Sequence, residues 1–215
     1  MLVTMRIFWI TLLFLPACAW AAPEPSDKYL AHCHVTPAIQ HNHVYPGETA
    51  IVPSNKLALP AGKSAYAKGQ LVYISGRVLD ENCVPVSDAI VDIWQADPEG
   101  KYIQSRLSDR INPFPNFAGS GRAITNNLGR FDFVTLLPGT YGHPPRAPHI
   151  NVHVTKERFG TLNTEMFFYD KPDPVLSHLH STQQALLIAK TWPRGDSLAS
   201  EWDITLKGKN PWRHF

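Results

Sequence analysis

The nine residues Arg146-Ala147-Pro148-His149-Ile150-Asn151-Val152-His153-Val154 carry the pattern most suited to chemistry in this 215-residue chain. They alternate strictly, so an extended strand would turn His149, Asn151 and His153 to one face and Ile150, Val152 and Val154 to the other. Such a strand reads as one wall of a site, polar on one side and packed into a core on the other. Two further oxygen donors lie upstream, Tyr102 after Gly100 and Tyr141 after Pro138-Gly139. Together these side chains are of the types that build a tyrosine/histidine iron centre.

The surrounding sequence predicts what holds that strand in place. Leu71–Val78 and Ala89–Trp94 read as strands, separated by the turn Asp80-Glu81-Asn82, and Asp97-Pro98-Glu99-Gly100 reads as a second turn. Asn126-Asn127-Leu128-Gly129 is a third turn before a strand from Arg130 to Leu137, which stops at Pro138-Gly139. His149–Val154, Glu165–Tyr169 and Glu201–Leu206 complete the strands. Only Ser181–Lys190 has helical character, with Ser181 or Thr182 as N-cap and Leu186-Leu187-Ile188 as its apolar run. Many short strands and one short helix predict an all-β fold, a β-sandwich of mostly antiparallel strands. Nineteen prolines fit that class better than a helical one.

The chain is long enough for one well-buried domain. A net charge of +2 with 18% charged residues gives no case for nucleic acid or an anionic membrane as partner. Arg6, the apolar run Ile7–Leu15 and Ala19-Trp20-Ala21 read as a signal peptide over residues 1–21, too short to span a bilayer. This predicts an exported protein, periplasmic or extracellular. A lipoprotein reading through Cys18 needs Leu15-Pro16-Ala17-Cys18 as its box, which Pro16 makes irregular. Residues 22–68 read as a long N-terminal arm and 69–215 as the sandwich domain. In an oxidising compartment the remaining pair, Cys33 and Cys83, is expected to form a disulfide that ties the arm to the first hairpin and contributes roughly 2–4 kcal/mol. The arm also holds His32, His34, His41 and His43, two His-x-His pairs of metal-binding type that read better as solvated or structural.

An ordered series of motifs then resembles a known family. It runs Ser75-Gly76-Arg77-Val78, Pro85-Val86, Ala89-Ile90-Val91-Asp92-Ile93-Trp94-Gln95-Ala96-Asp97 and Gly100-Lys101-Tyr102. It continues through Asn116-Phe117, Gly121-Arg122, Thr125, Gly129-Arg130-Phe131, Pro138-Gly139-Thr140-Tyr141 and Arg146-Ala147-Pro148-His149-Ile150. Over roughly residues 69–207 this is similar to the intradiol ring-cleavage dioxygenases, which include protocatechuate 3,4-dioxygenase and the catechol dioxygenases. Cys33-His34-Val35-Thr36-Pro37 and Cys83-Val84-Pro85 look like the secreted members. Ala147-Pro148-His149-Ile150-Asn151-Val152 and Asp173-Pro174-Val175-Leu176 look like the iron-free α subunit of protocatechuate 3,4-dioxygenase.

The resemblance implies non-haem iron(III) held by two tyrosinates and two histidines. Tyr102 falls on the equatorial tyrosine, Tyr141 on the axial one and His149 on the first histidine, while Asn151 occupies the second histidine's place. A carboxamide is a weak, neutral ligand by comparison with imidazole. His153 faces the same side but lies four residues from His149, about 13 Å along an extended strand. Two donors to one ion need to be about 3 Å apart. His143, just after Tyr141, is the other substitute. Arg146 matches an arginine that stabilises negative charge on substrate, and Glu165 stands where the family usually has glutamine, placed to pair with Arg146 or to approach a metal. The implied activity is opening of a catechol between its hydroxyl-bearing carbons, with a small aromatic diol and O2 as partners and Tyr141 taking a proton. The alternative implied by Asn151 is a non-catalytic partner subunit or binding module, in a homo- or hetero-oligomer.

Overall fold

The computed structural model describes residues 32–40, 45–102 and 114–209. The signal segment, Cys18, His41 and His43 lie outside the described residues. Among the described residues, nine strands form two sheets: β1 (Leu71–Leu79), β2 (Ile90–Trp94), β3 (Ser120–Ile124), β4 (Arg130–Leu136), β5 (His149–Lys156), β6 (Gly160–Phe167), β7 (Lys190–Arg194), β8 (Ser197–Glu201) and β9 (Ile204–Thr205). One sheet has the order β4-β1-β8-β7 with β9 also paired to β1; the other has the order β3-β2-β5-β6. The pairings of β1 with β8 and β9 are parallel and the rest are antiparallel. The predicted all-β sandwich is the observed fold.

The alternation seen in the sequence is what joins the sheets. Val72 and Ile74 of β1, Phe131 and Phe133 of β4, Val91 and Ile93 of β2, and Ile150, Val152 and Val154 of β5 all enter one buried cluster. Burying side chains of this size stabilises by about 1.5–3 kcal/mol each before conformational entropy is counted. The opposite face of β5 is also buried at His149 and Asn151, so something other than the partner sheet covers it. A second cluster of Ile39, Ala147, Phe167, Leu176 and Leu187 packs at the His149 end of that strand.

The arm contributes to both layers. Cys33 and Cys83 form the expected disulfide, with their Cα atoms 5.2 Å apart. Thr36 N–H donates to Thr205 O at 3.0 Å and Ile39 N–H to Asn163 O at 2.8 Å, so residues 32–40 reach from β9 to β6. Leu57, Ala58 and Ala67 are buried in the main core, so the later part of this segment helps to build the sandwich.

The predicted helix is shorter than its periodicity suggested. It covers Ser181–Ala185, with the Gln183 side chain accepting from the His180 N–H at 3.2 Å. The apolar run that follows leaves helical geometry because β6 needs partners at its end. Phe167 N–H donates to Leu187 O and Ala189 N–H to Phe167 O, both at 2.8 Å, and Leu187 is fully buried. Strands β3, β7 and β8 were not predicted. Both β3 and β7 are edge strands with polar or exposed residues, which weakens the alternation that marks a half-buried strand. Of the predicted strand Glu165–Tyr169, only Glu165–Phe167 is strand, as the end of the longer β6, and the predicted Glu201–Leu206 overlaps only the end of β8 and the two residues of β9. Among the described residues, no helix is long and apolar enough to cross a membrane.

Candidate metal centre

The covered outer face of the β3-β2-β5-β6 sheet carries the site. Register sets three polar side chains in a row there: Trp94 of β2 lies opposite Asn151 of β5, which lies opposite Glu165 of β6. His149 lies opposite Phe167 at the end of the same pairing. Two turns bring the tyrosines over this row. Gly100 has φ +80°, and a Cβ there would stand 2.2 Å from Thr140 O; a Cβ on Gly139 would stand 2.4 Å from Pro98 O. Only glycine permits backbones to approach that closely. The turn before Tyr102 therefore nests against the turn before Tyr141. Asp97 joins them, since its carbonyl accepts from Gly139 N–H at 2.9 Å and its side chain accepts from Glu99 and Lys101 N–H.

The result is a continuous set of contacts. Tyr102 Oη lies 3.3 Å from Tyr141 Oη, with the rings edge to face. Tyr141 Oη lies 3.1 Å from His149 Nε2. His149 Nδ1 is 2.7 Å from Ala147 O. A carbonyl can only accept, so Nδ1 carries the proton and Nε2 presents its lone pair to Tyr141. Burial lowers the His149 pKa below its usual value, which favours this neutral, metal-competent form. Burial also raises both tyrosine pKa values; at Tyr102 the neighbouring Tyr141 adds to the rise, and at Tyr141 the nearby Arg146 opposes it.

Arg146 stands beside this group, but its charge is already balanced. Nε lies 3.1 and 2.9 Å from the two Asp173 carboxylate oxygens, and Nη2 lies 2.5 Å from Glu165 Oε2. Asp173 also accepts from the N–H groups of Ala147 and Val175, each at 2.8 Å. Of the two roles considered for Glu165, the structure shows pairing with Arg146. Of the guanidinium nitrogens, Nη1 is buried without a hydrogen bond among the described residues. Asp173 was legible in the sequence only as part of a motif; that it anchors Arg146 depends on contact across 27 positions of chain.

The two histidines considered as substitute ligands are elsewhere. His153 stacks on Tyr45 with ring centroids 4.0 Å apart, and its nitrogens pair with Asn163 Oδ1 at 2.7 Å and Thr155 Oγ1 at 3.1 Å. It belongs to a neighbouring polar group in which Tyr45 and Arg122 both bond Asp92. His143 is exposed on the loop after Tyr141. In the arm, His32 and His34 are also exposed. No group of three or more His, Cys, Asp or Glu side chains is placed to hold an ion among the described residues. Any centre here depends on the tyrosines.

Donors to one ion at bond lengths near 2 Å sit about 3 Å apart. Tyr102 Oη, Tyr141 Oη and His149 Nε2 satisfy that spacing along the series. The fourth position does not: the atom that Asn151 brings to Tyr102 Oη, at 2.9 Å, is Nδ2, whose electron pair is delocalised into the amide. Three side chains, rather than four, thus have the donor type and consecutive spacing suited to an iron(III) ion.

A β-sandwich with a tyrosine/histidine donor set on the outer face of one sheet defines a class of non-haem metal protein. The family model described as dioxygenase matches residues 47–208, and the chain belongs to that family, the intradiol ring-cleavage dioxygenases. It is 35% identical over 151 residues to the protocatechuate 3,4-dioxygenase β chain of Burkholderia cepacia, covering 63% of this chain and 64% of that one. It is 33% identical over 171 residues to a putative dioxygenase of Rickettsia bellii, covering 74% of this chain and 80% of that one. The chain thus spans just under two thirds of the Burkholderia relative. In fold it is similar to the dioxygenase domain of a dioxygenase–carbohydrate-binding protein fusion from Streptomyces sp. SirexAA-E. That match has TM-score 0.62 and 23% identity, and covers 82% of this chain and 100% of that domain.

Proposed function

We propose that this protein is an iron(III)-dependent dioxygenase that opens an aromatic 1,2-diol between its hydroxylated carbons, using a centre with three protein donors. The unbroken series of contacts from Tyr102 Oη through Tyr141 Oη to His149 Nε2 carries this reading. Iron(III) bound there would supply the Lewis acidity that activates a diol toward O2. The chain's own residues supply the rest. Tyr102 and His149 hold fixed positions, one from a glycine turn and one from a central strand. Tyr141 is the more mobile candidate, coming from a loop whose next four residues are exposed, and its oxygen is assigned to receive the proton of an incoming hydroxyl. His149 and Asn151 are 2% and 1% exposed, so bulk water is kept from the floor of the site. Arg146 Nη1 remains as the donor available to an anionic oxygen of the substrate.

The purified protein should therefore retain about one iron per chain, show the visible tyrosinate-to-iron charge-transfer band and consume O2 with a catechol. Asn151→His should raise iron retention by returning an imidazole at the second histidine position. A protein that takes up no iron in either form and leaves O2 untouched would instead be a partner subunit or binding module, the reading that Asn151 itself favours.

The export reading is part of the same proposal. Mature protein should begin near Ala22, with Cys33 and Cys83 closed to thiol reagents until reduction. Intact mass before and after reduction checks both, and a diacylglyceryl mass on Cys18 would replace simple cleavage by lipid anchoring.

A further inference from the structure

We propose that Asn151 is a positioning residue for Tyr102: its amide nitrogen stands in the fourth ligand's place and donates to the Tyr102 oxygen. This rests on the iron-centre reading and says how that centre works with three donors.

The orientation of the amide is set by the backbone. Asn151 Nδ2 lies 3.0 Å from Trp94 O and 2.9 Å from Tyr102 Oη. Its two hydrogens are thereby both used. Flipping the amide would put Oδ1 against the Trp94 carbonyl, two acceptors facing each other with no proton between them. Strand pairing holds Asn151 on both sides, opposite Trp94 and opposite Glu165, so the side chain cannot move away as a unit. In its place Oδ1 is buried without a hydrogen-bond partner among the described residues. An aliphatic residue of the same size would avoid that unmet acceptor, so the donor side is what the amide contributes.

This donor orders the whole site. Tyr102 Oη accepts from Asn151, which leaves its own proton for Tyr141 Oη; Tyr141 in turn donates to His149 Nε2. His149 Nδ1–H ends the series on Ala147 O. Among the described residues, the carbonyls of Trp94 and Ala147 thus fix the direction of the hydrogen bonds in this series. With Tyr102 ionised as a metal ligand, the Asn151 N–H would remain directed at its oxygen, holding the ring and withdrawing charge from it.

Asn151→Leu keeps the branching and heavy-atom count, though it is bulkier, and removes the donor, with Asn151→Ala as a second variant should leucine fold poorly. Iron should stay at about one per chain but bind roughly tenfold more weakly, and the charge-transfer band should move to longer wavelength. Loss of all iron from a folded variant would make Oδ1 a ligand, and an unmoved band would make Asn151 a packing residue; either overturns the proposal. A metal-free measurement separates it from the iron reading. With 3-fluorotyrosine incorporated, the fluorine resonance of Tyr102, assigned through Tyr102→Phe, should shift or broaden in Asn151→Leu. If wild-type protein binds no iron and that resonance still responds, the centre is not an iron site but the positioning stands. A resonance that does not respond overturns the positioning.

Discussion

Replacing Arg146 with methionine should destabilise the protein by about 3–5 kcal/mol, the effect of leaving buried charge without its counterion. Methionine fills much of the same space, so the loss is chiefly electrostatic. Asp173 and Glu165 are both closed to solvent and both face the guanidinium. Asp173 would keep the N–H groups of Ala147 and Val175 as donors; Glu165 would lose the guanidinium at its Oε2. Urea unfolding of the metal-free proteins measures the change. Adding Glu165→Gln and Asp173→Asn to the methionine variant should recover most of it, because neutral amides need no counterion. A loss below about 1 kcal/mol for the single substitution would place the pair in the range of solvent-exposed ion pairs, contrary to the burial seen here.

That prediction bears on function, because the same contacts shape the site. Arg146 N–H donates to Tyr141 O at 2.7 Å, closing the loop from Tyr141 to Arg146, and Ala147 is the residue whose carbonyl orients His149. Removing the guanidinium would loosen a tyrosine and a histidine together. Two carboxylates already engage this one guanidinium, so the arginine contributes less positive potential to an incoming anion than its charge alone suggests. Its available contribution is directional, through Nη1.

The parts of this arrangement that were legible in the sequence are those that depend on local period. The alternation of His149, Asn151 and His153 against Ile150, Val152 and Val154 gave β5 and its two faces, because a pleated strand must place them so. The turns before Tyr102 and Tyr141 were legible from their glycines and prolines. The partners were not. Nothing in the spacing of Asp173 or Trp94 shows that one will hold Arg146 and the other will orient Asn151, since those contacts arise from sheet register and from loops meeting across the chain. His153 shows the same limit from the other side. It shares the face of His149, yet Tyr45 of the arm stacks on it and Asn163 and Thr155 take its nitrogens. The helix was overestimated for a related reason. Leu187 and Ile188 satisfy a helical pattern equally well, but the end of β6 supplies backbone partners that a helix would leave unused.

Tyr141→Phe should lower kcat by about 10²–10⁴-fold, the range lost when a positioned acid–base group is removed. The ring can stay where it is, since its edge-to-face contact with Tyr102 and its packing near His149 do not use the hydroxyl. What disappears is the oxygen between Tyr102 Oη and His149 Nε2, the atom that would take the substrate's proton. Tyr102→Phe is the informative comparison. Tyr102 lies on the Asn151 side, so on the proposed reading its oxygen would be the fixed donor to iron and its loss should empty the centre of metal. Tyr141→Phe should instead keep part of the iron, with a charge-transfer band reduced to the Tyr102 contribution, while turnover falls. Metal analysis, the visible spectrum and O2 uptake on the two variants separate these roles. If Tyr141→Phe turns over a catechol at the wild-type rate, the proton must go to another group, and the assignment of Tyr141 as its acceptor is wrong even though the fold and the donor set remain.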